Sequence, residues 1–581
     1  MKTSHFIKQV LAVSVGFFLS LLFLFIVTIW GLAQLVSNKS AKHEVKENSI
    51  LALNMEGRIA EFTQESLLGS NADKIDLSLV KGAIHKAAND NNIKAIYLKS
   101  SYCYAGWAAL EEIRDALLSF KKQGKTIIAY GDAYSQKSYY LASVADEIIL
   151  NPSGGLEFQG LSATISFYTK FFQNIYVNPI IFRIGDYKSA VEPFCLNKMS
   201  EESKQQTRDY LTSIYTHFLK NISLERNIKV CELKKFADNL SVVLPTDALG
   251  KNMITKIAYE TEAKKLLAKQ FHKSDNELND RYLISYKKYL RPHKQLDSPN
   301  NIAVVVAEGE IVDGVSSSGL VGSSDFVKTI AKVKKDPTIK AVVLRINSPG
   351  GSVLASDIIW KSIEELKKVK PVVASMSSVV ASGGYYIATP CNYIFAQPTT
   401  LTGSIGIFAI LFDATKLMEG IGIQRDVVKT APSADFLNPR TSCSQQEKNL
   451  IYKILQSSYD DFLQKVAQGR GLSKEQVTSL ASGKIYSGIA AQKNKLVDEL
   501  GGIEAAIAKA AELANLTGTY GIDYFPYPKT KLEQLLQYAN SNVKIDLLSS
   551  LYEEYPMVKQ MQAIPKRKGI QAILPYTVDI E

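Results

Sequence analysis

Residues 302–376 contain, in order, IAVVVAEGEIV (302–312), DFVKTIAKVKK (325–335), KAVVLRI (340–346), IIWKSIEELKKV (358–369) and PVVASM (371–376). The β-branched runs read as buried strands. The segments between them carry apolar residues at helical spacing. Strand–helix–strand alternation of this kind builds a parallel sheet with right-handed crossovers, so the fold class is α/β.

Working outward, the same order occurs twice. Ile93-Lys94-Ala95 returns as Ile339-Lys340-Ala341, and Tyr139-Tyr140-Leu141-Ala142 as Tyr385-Tyr386-Ile387-Ala388, both at an offset of 246. Gly160 and Gly406, and Thr169-Lys170 and Thr415-Lys416, keep that offset. The chain therefore divides into a leader (1–48), a first repeat with its linker (49–296), a second repeat (297–520) and a tail (521–581). The polar stretch 275–300 reads as the linker, and nothing after 520 has a counterpart in the first repeat. Helices are expected at SQQEKNLIYKILQSSYDDFLQKVA (444–467) and GIEAAIAKAAELANL (502–516).

The leader holds 30 consecutive uncharged residues between Lys8 and Lys39. That exceeds the apolar region of a cleaved signal, about 7–15 residues, and suffices to cross a ~30 Å hydrocarbon layer. It reads as an uncleaved signal anchor spanning about 9–36, with Trp30 at its interfacial end. Lysines flank it on both sides, so charge does not set its orientation.

Composition excludes several classes. With 46% hydrophobic and 22% charged residues, the 581-residue chain is neither disordered nor fibrous. The net charge of +11 comes from scattered lysines without a basic arm or aromatic–basic stripe, which argues against nucleic acid and is compatible with anionic lipid. Five widely spaced cysteines form no disulfide framework. The six histidines all lie at or before residue 293, and no H-E-x-x-H occurs. A nucleophile in the second half must therefore take its base from the first half or from a residue other than His.

The repeats diverge at a few positions, and there the chemistry is sought. The second repeat has Asn347-Ser348-Pro349-Gly350-Gly351-Ser352 after a buried-type strand, where the first has Ser101-Tyr102-Cys103-Tyr104-Ala105-Gly106. Paired glycines there either make a plain tight turn or turn backbone amides toward an oxyanion. Val380-Ala381-Ser382-Gly383-Gly384-Tyr385-Tyr386 places a serine at a strand-to-helix turn, as an N-cap or as a nucleophile. Its counterpart is Gln136. Ser404, in Thr402-Gly403-Ser404-Ile405-Gly406, corresponds to Phe158, while Lys188 of the first repeat corresponds to Ala434. A lysine is ordinarily a solvated ammonium with pKa ~10.4, and only desolvation makes it a base near neutral pH. Two Ser-x-x-Lys strings, Ser119–Lys122 and Ser285–Lys288, lack companion motifs and read as accidental.

Three motifs, Val-Ala-Ser-Gly-Gly-Tyr-Tyr (380–386), Thr-Gly-Ser-Ile-Gly (402–406) and Asp-Tyr-Lys-Ser-Ala-Val-Glu-Pro-Phe (186–194), together resemble the long, duplicated form of the signal peptide peptidase A family, peptidase family S49. The likeness runs over roughly residues 1–520. It implies tandem ClpP/crotonase-like domains and a Ser–Lys dyad divided between the repeats. Ser382 would be the nucleophile, Lys188 the general base, and Ser404 the hydroxyl that orients the lysine. Gly350, Gly351 and Gly383 are the oxyanion candidates.

The resemblance further implies no metal or organic cofactor. The substrates would be cleaved signal peptides and other apolar peptides, handled by a homo-oligomer, a tetramer for this form. Its catalytic domains would lie on the extracytoplasmic side of a bacterial inner membrane. Two other readings remain at this point. A crotonase-type acyl-CoA enzyme would need a carboxylate beside Gly350–Gly351, and a catalytically inactive membrane scaffold would need no dyad.

Overall fold

The computed structural model describes residues 13–24, 26–27, 45–63, 74–271, 282–290, 299–317, 319–436, 438, 442–526 and 570–573. Of the anchor expected at 9–36, residues 13–24 and 26–27 are described. They are helical, with exposed side chains such as Phe17, Phe18, Leu22 and Phe23. The remainder of that segment lies outside the described residues. Among the described residues no helix is long and apolar enough to cross a membrane.

Each repeat is a sheet covered on both faces, parallel throughout in the first and parallel in the second except for the edge strand Ile485–Ser487, which pairs antiparallel with Leu401–Gly403. In the first, the strands run in the order Leu283–Ser285, Ser49–Asn54, Ile93–Lys99, Thr126–Gly131, Glu147–Leu150, Lys256–Ile257. In the second the order is Ile485–Ser487, Leu401–Gly403, Val372–Ala381, Ile339–Ser348, Asn301–Glu308, Gly521–Phe525, and Tyr393–Ala396 also pairs with Val372–Ala381. Strands buried on both faces need apolar residues at nearly every position, which is why IAVVVAE and KAVVLRI read as continuous runs.

Helices Leu77–Asn89 and Ser323–Lys335 stand 246 residues apart, as do strands Glu147–Leu150 and Tyr393–Ala396. Local chemistry fixes several starts. Asp76 caps the first of these helices by accepting from the Leu79 amide, and Ser444 and Glu447 form a reciprocal capping box on Gln445–Arg470.

Two segments behave differently from their sequence reading. Leu283–Ser285, inside the stretch read as linker, is the edge strand beside Ser49–Asn54. Gly521–Phe525, set apart as tail, takes the same place beside Asn301–Glu308. Three to five residues of edge strand between polar flanks give too short a periodic pattern to be recognised. The duplication therefore includes one more strand in each copy.

The repeats are locked together by buried charge. Arg345 of the second repeat reaches Glu61 and Glu112 of the first, each at 2.7 Å, with all three side chains at most 3% exposed. Lys81 pairs with Glu112 and with Glu504 across the junction, and Ser377 donates to Glu61. Burial and the neighbouring Glu61 push the Glu308 carboxyl up to about 7. Hydrogen bonding also crosses the junction. Strand Asn178–Ile184 leaves the first repeat and pairs antiparallel with Ile407–Asp413 of the second along its full length.

Candidate active site

That crossing strand delivers the lysine. It ends at Ile184, and Gly185 turns the chain so that the Lys188 amide donates to the Gly185 carbonyl at 3.1 Å. The turn rests on a loop of the other repeat, the Tyr187 amide donating to the Ser482 carbonyl at 2.9 Å. Gly483 fits directly under it. Its φ is +81°, and a Cβ there would stand 2.6 Å from the Lys188 nitrogen and 2.7 Å from its Cα. Gln206 completes the support, donating to the Tyr187 carbonyl and to Ser189 Oγ while accepting from the Ile485 amide.

Ser382 ends strand Val372–Ala381 and precedes helix Gly383–Ala388. Its backbone sits at φ 57°, ψ −116°, a region that costs a non-glycine residue roughly 1–3 kcal/mol. The conformation is held by its amide, which donates to the Gly403 carbonyl at 2.8 Å. Its side chain caps nothing, so the N-cap alternative drops out.

Lys188 Nζ lies 2.8 Å from Ser382 Oγ, 3.0 Å from Ser404 Oγ and 3.1 Å from the Ser404 carbonyl oxygen, so a neutral amine can accept from Ser382 and donate to Ser404. Ser382 Oγ in turn has the Gly406 carbonyl at 3.4 Å. Lys188, Ser382 and Ser404 are all fully buried. Burial holds the lysine well below its ordinary 10.5, with no carboxylate contributing. An amine surrounded by hydroxyls and carbonyls, without a counter-ion, is stable only when neutral.

The glycines expected to donate to an oxyanion lie close by. The Gly350 amide is directed to Ser348 Oγ at 3.2 Å. Cβ atoms placed on the neighbouring glycines show how closely their amides converge: one on Gly350 (φ +101°) would stand 2.7 Å from the Gly383 nitrogen, and one on Gly383 would stand 3.1 Å from the Gly351 nitrogen. The carboxylate of Asp313 comes near this loop but accepts from Ser352 Oγ instead. Among the described residues no cluster of His, Cys, Asp and Glu has metal-binding geometry.

In the first repeat, Gln136 occupies the position corresponding to Ser382. Its amide is tied to Gly160, donating to the carbonyl at 2.8 Å and accepting from the amide at 2.9 Å, so this position of the first repeat carries no hydroxyl. Sequence reasoning missed Gly483, Gln206 and the Gly406 carbonyl. Turn glycines and backbone oxygens carry no chemical signature until the chain brings them against the lysine.

A profile of peptidase family S49 matches residues 119–273 and 364–517. The chain belongs to this family. Protease 4 of Salmonella typhi is 33% identical over 93% of this chain and 90% of its own. Protease 4 of Haemophilus influenzae is 37% identical, covering 80% and 79%. The Arabidopsis thaliana protein named "Serine protease SPPA, chloroplastic" is 31% identical over 89% and 78%. The chain is thus a serine peptidase homologue of the Protease 4/SPPA type, with the two family matches falling one in each repeat.

Proposed function

We propose that the protein is a membrane-anchored serine endopeptidase using a Ser382–Lys188 dyad assembled across its two repeats. The observation that carries this reading is the 2.8 Å contact between Lys188 Nζ and Ser382 Oγ in a fully buried setting without a counter-ion. Neutral Lys188 takes the Ser382 proton as Oγ attacks the peptide carbonyl, and the carbonyl π pair moves onto oxygen. The amides of Gly351 and Gly383, with Gly350 behind them, stabilise that oxyanion. Collapse expels the amine, which takes the proton from Lys188, and an acyl-enzyme remains on Ser382. Water enters by the same sequence, giving its proton to Lys188, which passes it to Ser382 Oγ as the acyl bond breaks and the acid is released. Ser404 holds the amine's direction throughout, and no metal or organic cofactor takes part.

By family membership the substrates are cleaved signal peptides and other apolar peptides. The uncharged stretch between Lys8 and Lys39 would hold the tandem ClpP/crotonase-like domains at the outer face of a bacterial inner membrane. A homo-oligomer, a tetramer by family resemblance, is supported by the duplication itself. The strands Asn178–Ile184 and Ile407–Asp413 join the repeats within one chain. Their counterparts at the 246-residue offset, 424–430 and 161–167, belong to no strand. Side chains along 161–167 alternate half-buried and exposed, as along a sheet edge. Pairing 424–430 of one chain with 161–167 of the next would repeat the internal junction head to tail.

Ser382→Ala in the full chain tests the dyad. Hydrolysis of an apolar fluorogenic peptide falls by at least roughly 10³-fold while the fold is retained. Turnover equal to the parent's would overturn the assignment.

A further inference from the structure

Helix Glu201–Arg226 of the first repeat and helix Gln445–Arg470 of the second are counterparts. Each has 26 residues, a serine N-cap whose side chain accepts from the amide three residues on, and a left-handed residue at its end (Asn227, Gly471). Their offset is 244, two short of that in the sheets. At this offset Gln206 corresponds to Leu450. Leu450 is 45% exposed, whereas Gln206 is fully buried. Burying a primary amide is costly unless its hydrogen-bonding groups are satisfied. The first repeat therefore has a use for this side chain that the second lacks, and only the first repeat carries the lysine.

The main chain shows what that amide joins. Residues 482–485 of the second repeat hold both halves of the dyad. The Ser482 carbonyl accepts from the Tyr187 amide at 2.9 Å, and the Lys484 carbonyl accepts from the Ser404 amide at 2.7 Å. The Gly483 amide donates to the Ile405 carbonyl at 2.8 Å. Ile485 lies opposite Gly403, whose carbonyl accepts from the Ser382 amide at 2.8 Å. Gln206 closes the remaining gap. Its Nε2 donates to the Tyr187 carbonyl at 3.1 Å and to Ser189 Oγ at 3.0 Å, one on each side of Lys188. Its Oε1 accepts from the Ile485 amide at 3.2 Å. The same helix meets this strand again where Ser213 Oγ donates to Ser487 Oγ at 2.8 Å.

We propose that Gln206 is a positioning residue, which fixes the separation of base and nucleophile by tying the residues on both sides of Lys188 to the strand that registers Ser382. This rests on the reading of the site as a Ser–Lys peptidase. Gln206 acts through Lys188 and moves no proton itself. Proton transfer from Ser382 Oγ needs the amine held within hydrogen-bond reach, and a misplacement of about 1 Å costs on the order of 10²-fold in rate. Substrate binding does not pass through this amide, so its loss is read in kcat and not in KM.

Gln206→Met in the full chain keeps the length of the side chain and removes all three bonds. With the folded fraction measured by near-UV circular dichroism, kcat per folded molecule on an apolar fluorogenic peptide should fall about 30- to 100-fold, with KM changed by less than about threefold. A role in stability alone would lower the folded fraction and leave kcat per folded molecule at the parent's value, and that result overturns the proposal. Ser189→Ala removes a single acceptor of the amide and decides the matter if Gln206→Met does not fold. Its kcat should fall roughly three- to tenfold at constant KM, and added to Gln206→Met it should cost nothing further, because its effect passes through the glutamine. Parental kcat in Ser189→Ala, or losses that add in full, would also overturn the proposal. Ser382→Ala measured alongside separates the two readings. If it is inactive while the other variants match the parent, the positioning role fails and the dyad stands; if it turns over like the parent, the dyad itself fails.

Discussion

Replacing Lys188 with methionine tests the physical basis of the site, because it removes the amine while keeping an unbranched chain of similar length. The folded protein holds this lysine well below its ordinary 10.5 by burial alone. Over the pH range between the folded value and 10.5 the unfolded chain therefore binds one proton that the folded chain does not. Stability must rise with pH across that window, by about 1.4 kcal/mol per pH unit where the difference is a full proton. Above 10.5 this contribution levels off.

The absolute offset between parent and Lys188→Met is less informative. It sums the relief of a desolvated amine with the loss of bonds to Ser382 and Ser404, each worth about 0.5–1.5 kcal/mol. The slope isolates the titration. Urea unfolding of both proteins between pH 8.5 and 10 should show the parent gaining about 2 kcal/mol relative to the variant. Peptide hydrolysis by the parent should rise with pH through the lysine's folded value, and the variant should have no measurable hydrolysis. Parallel stability profiles would show that Lys188 enters the folded state already charged, and the general-base argument would fail.

Gly483→Ala places a Cβ within 2.7 Å of the Lys188 backbone at a positive φ, so kcat should fall by roughly 10²-fold with little change in KM. Steady-state kinetics on a single peptide decides this. Arg345→Met leaves Glu61 and Glu112 buried without their shared partner. Unfolding free energy should drop by about 3–5 kcal/mol, measurable in urea, while the Arg345→Met/Glu112→Gln double variant recovers part of the loss. Val428→Asp puts a charge on a nearly fully exposed apolar side chain in the segment offered for head-to-tail pairing. Light scattering should then report a smaller assembly with an intact fold, whereas an unchanged assembly would remove 424–430 from the contact.

The sequence was most legible where its signals are local and repeated. The strands 301–308 and 339–348 and the helices Ser323–Lys335 and Val353–Lys367 that follow them are legible from β-branched runs and helical spacing. The constant offset exposed the duplication, and the positions where the copies disagree pointed to Ser382, Ser404 and Lys188, and the fold brings the lysine amine within 3.0 Å of both serine hydroxyls. Edge strands Leu283–Ser285 and Gly521–Phe525 were missed because a few residues between polar flanks carry almost no periodic signal. The seat of Gln571–Ile573 was missed for a different reason, since its strand partners among the described residues lie more than 160 residues away in the chain.

The sequence alone determined the α/β alternation, the twofold repetition and the residue types available for chemistry, because periodicity and side-chain identity are properties of short stretches. Whether a lysine is a solvated cation or a neutral base depends on what surrounds it. Here that is two hydroxyls from the other repeat and a glycine too small to push it away. Only tertiary packing excludes water from that amine, and its basicity follows from that exclusion.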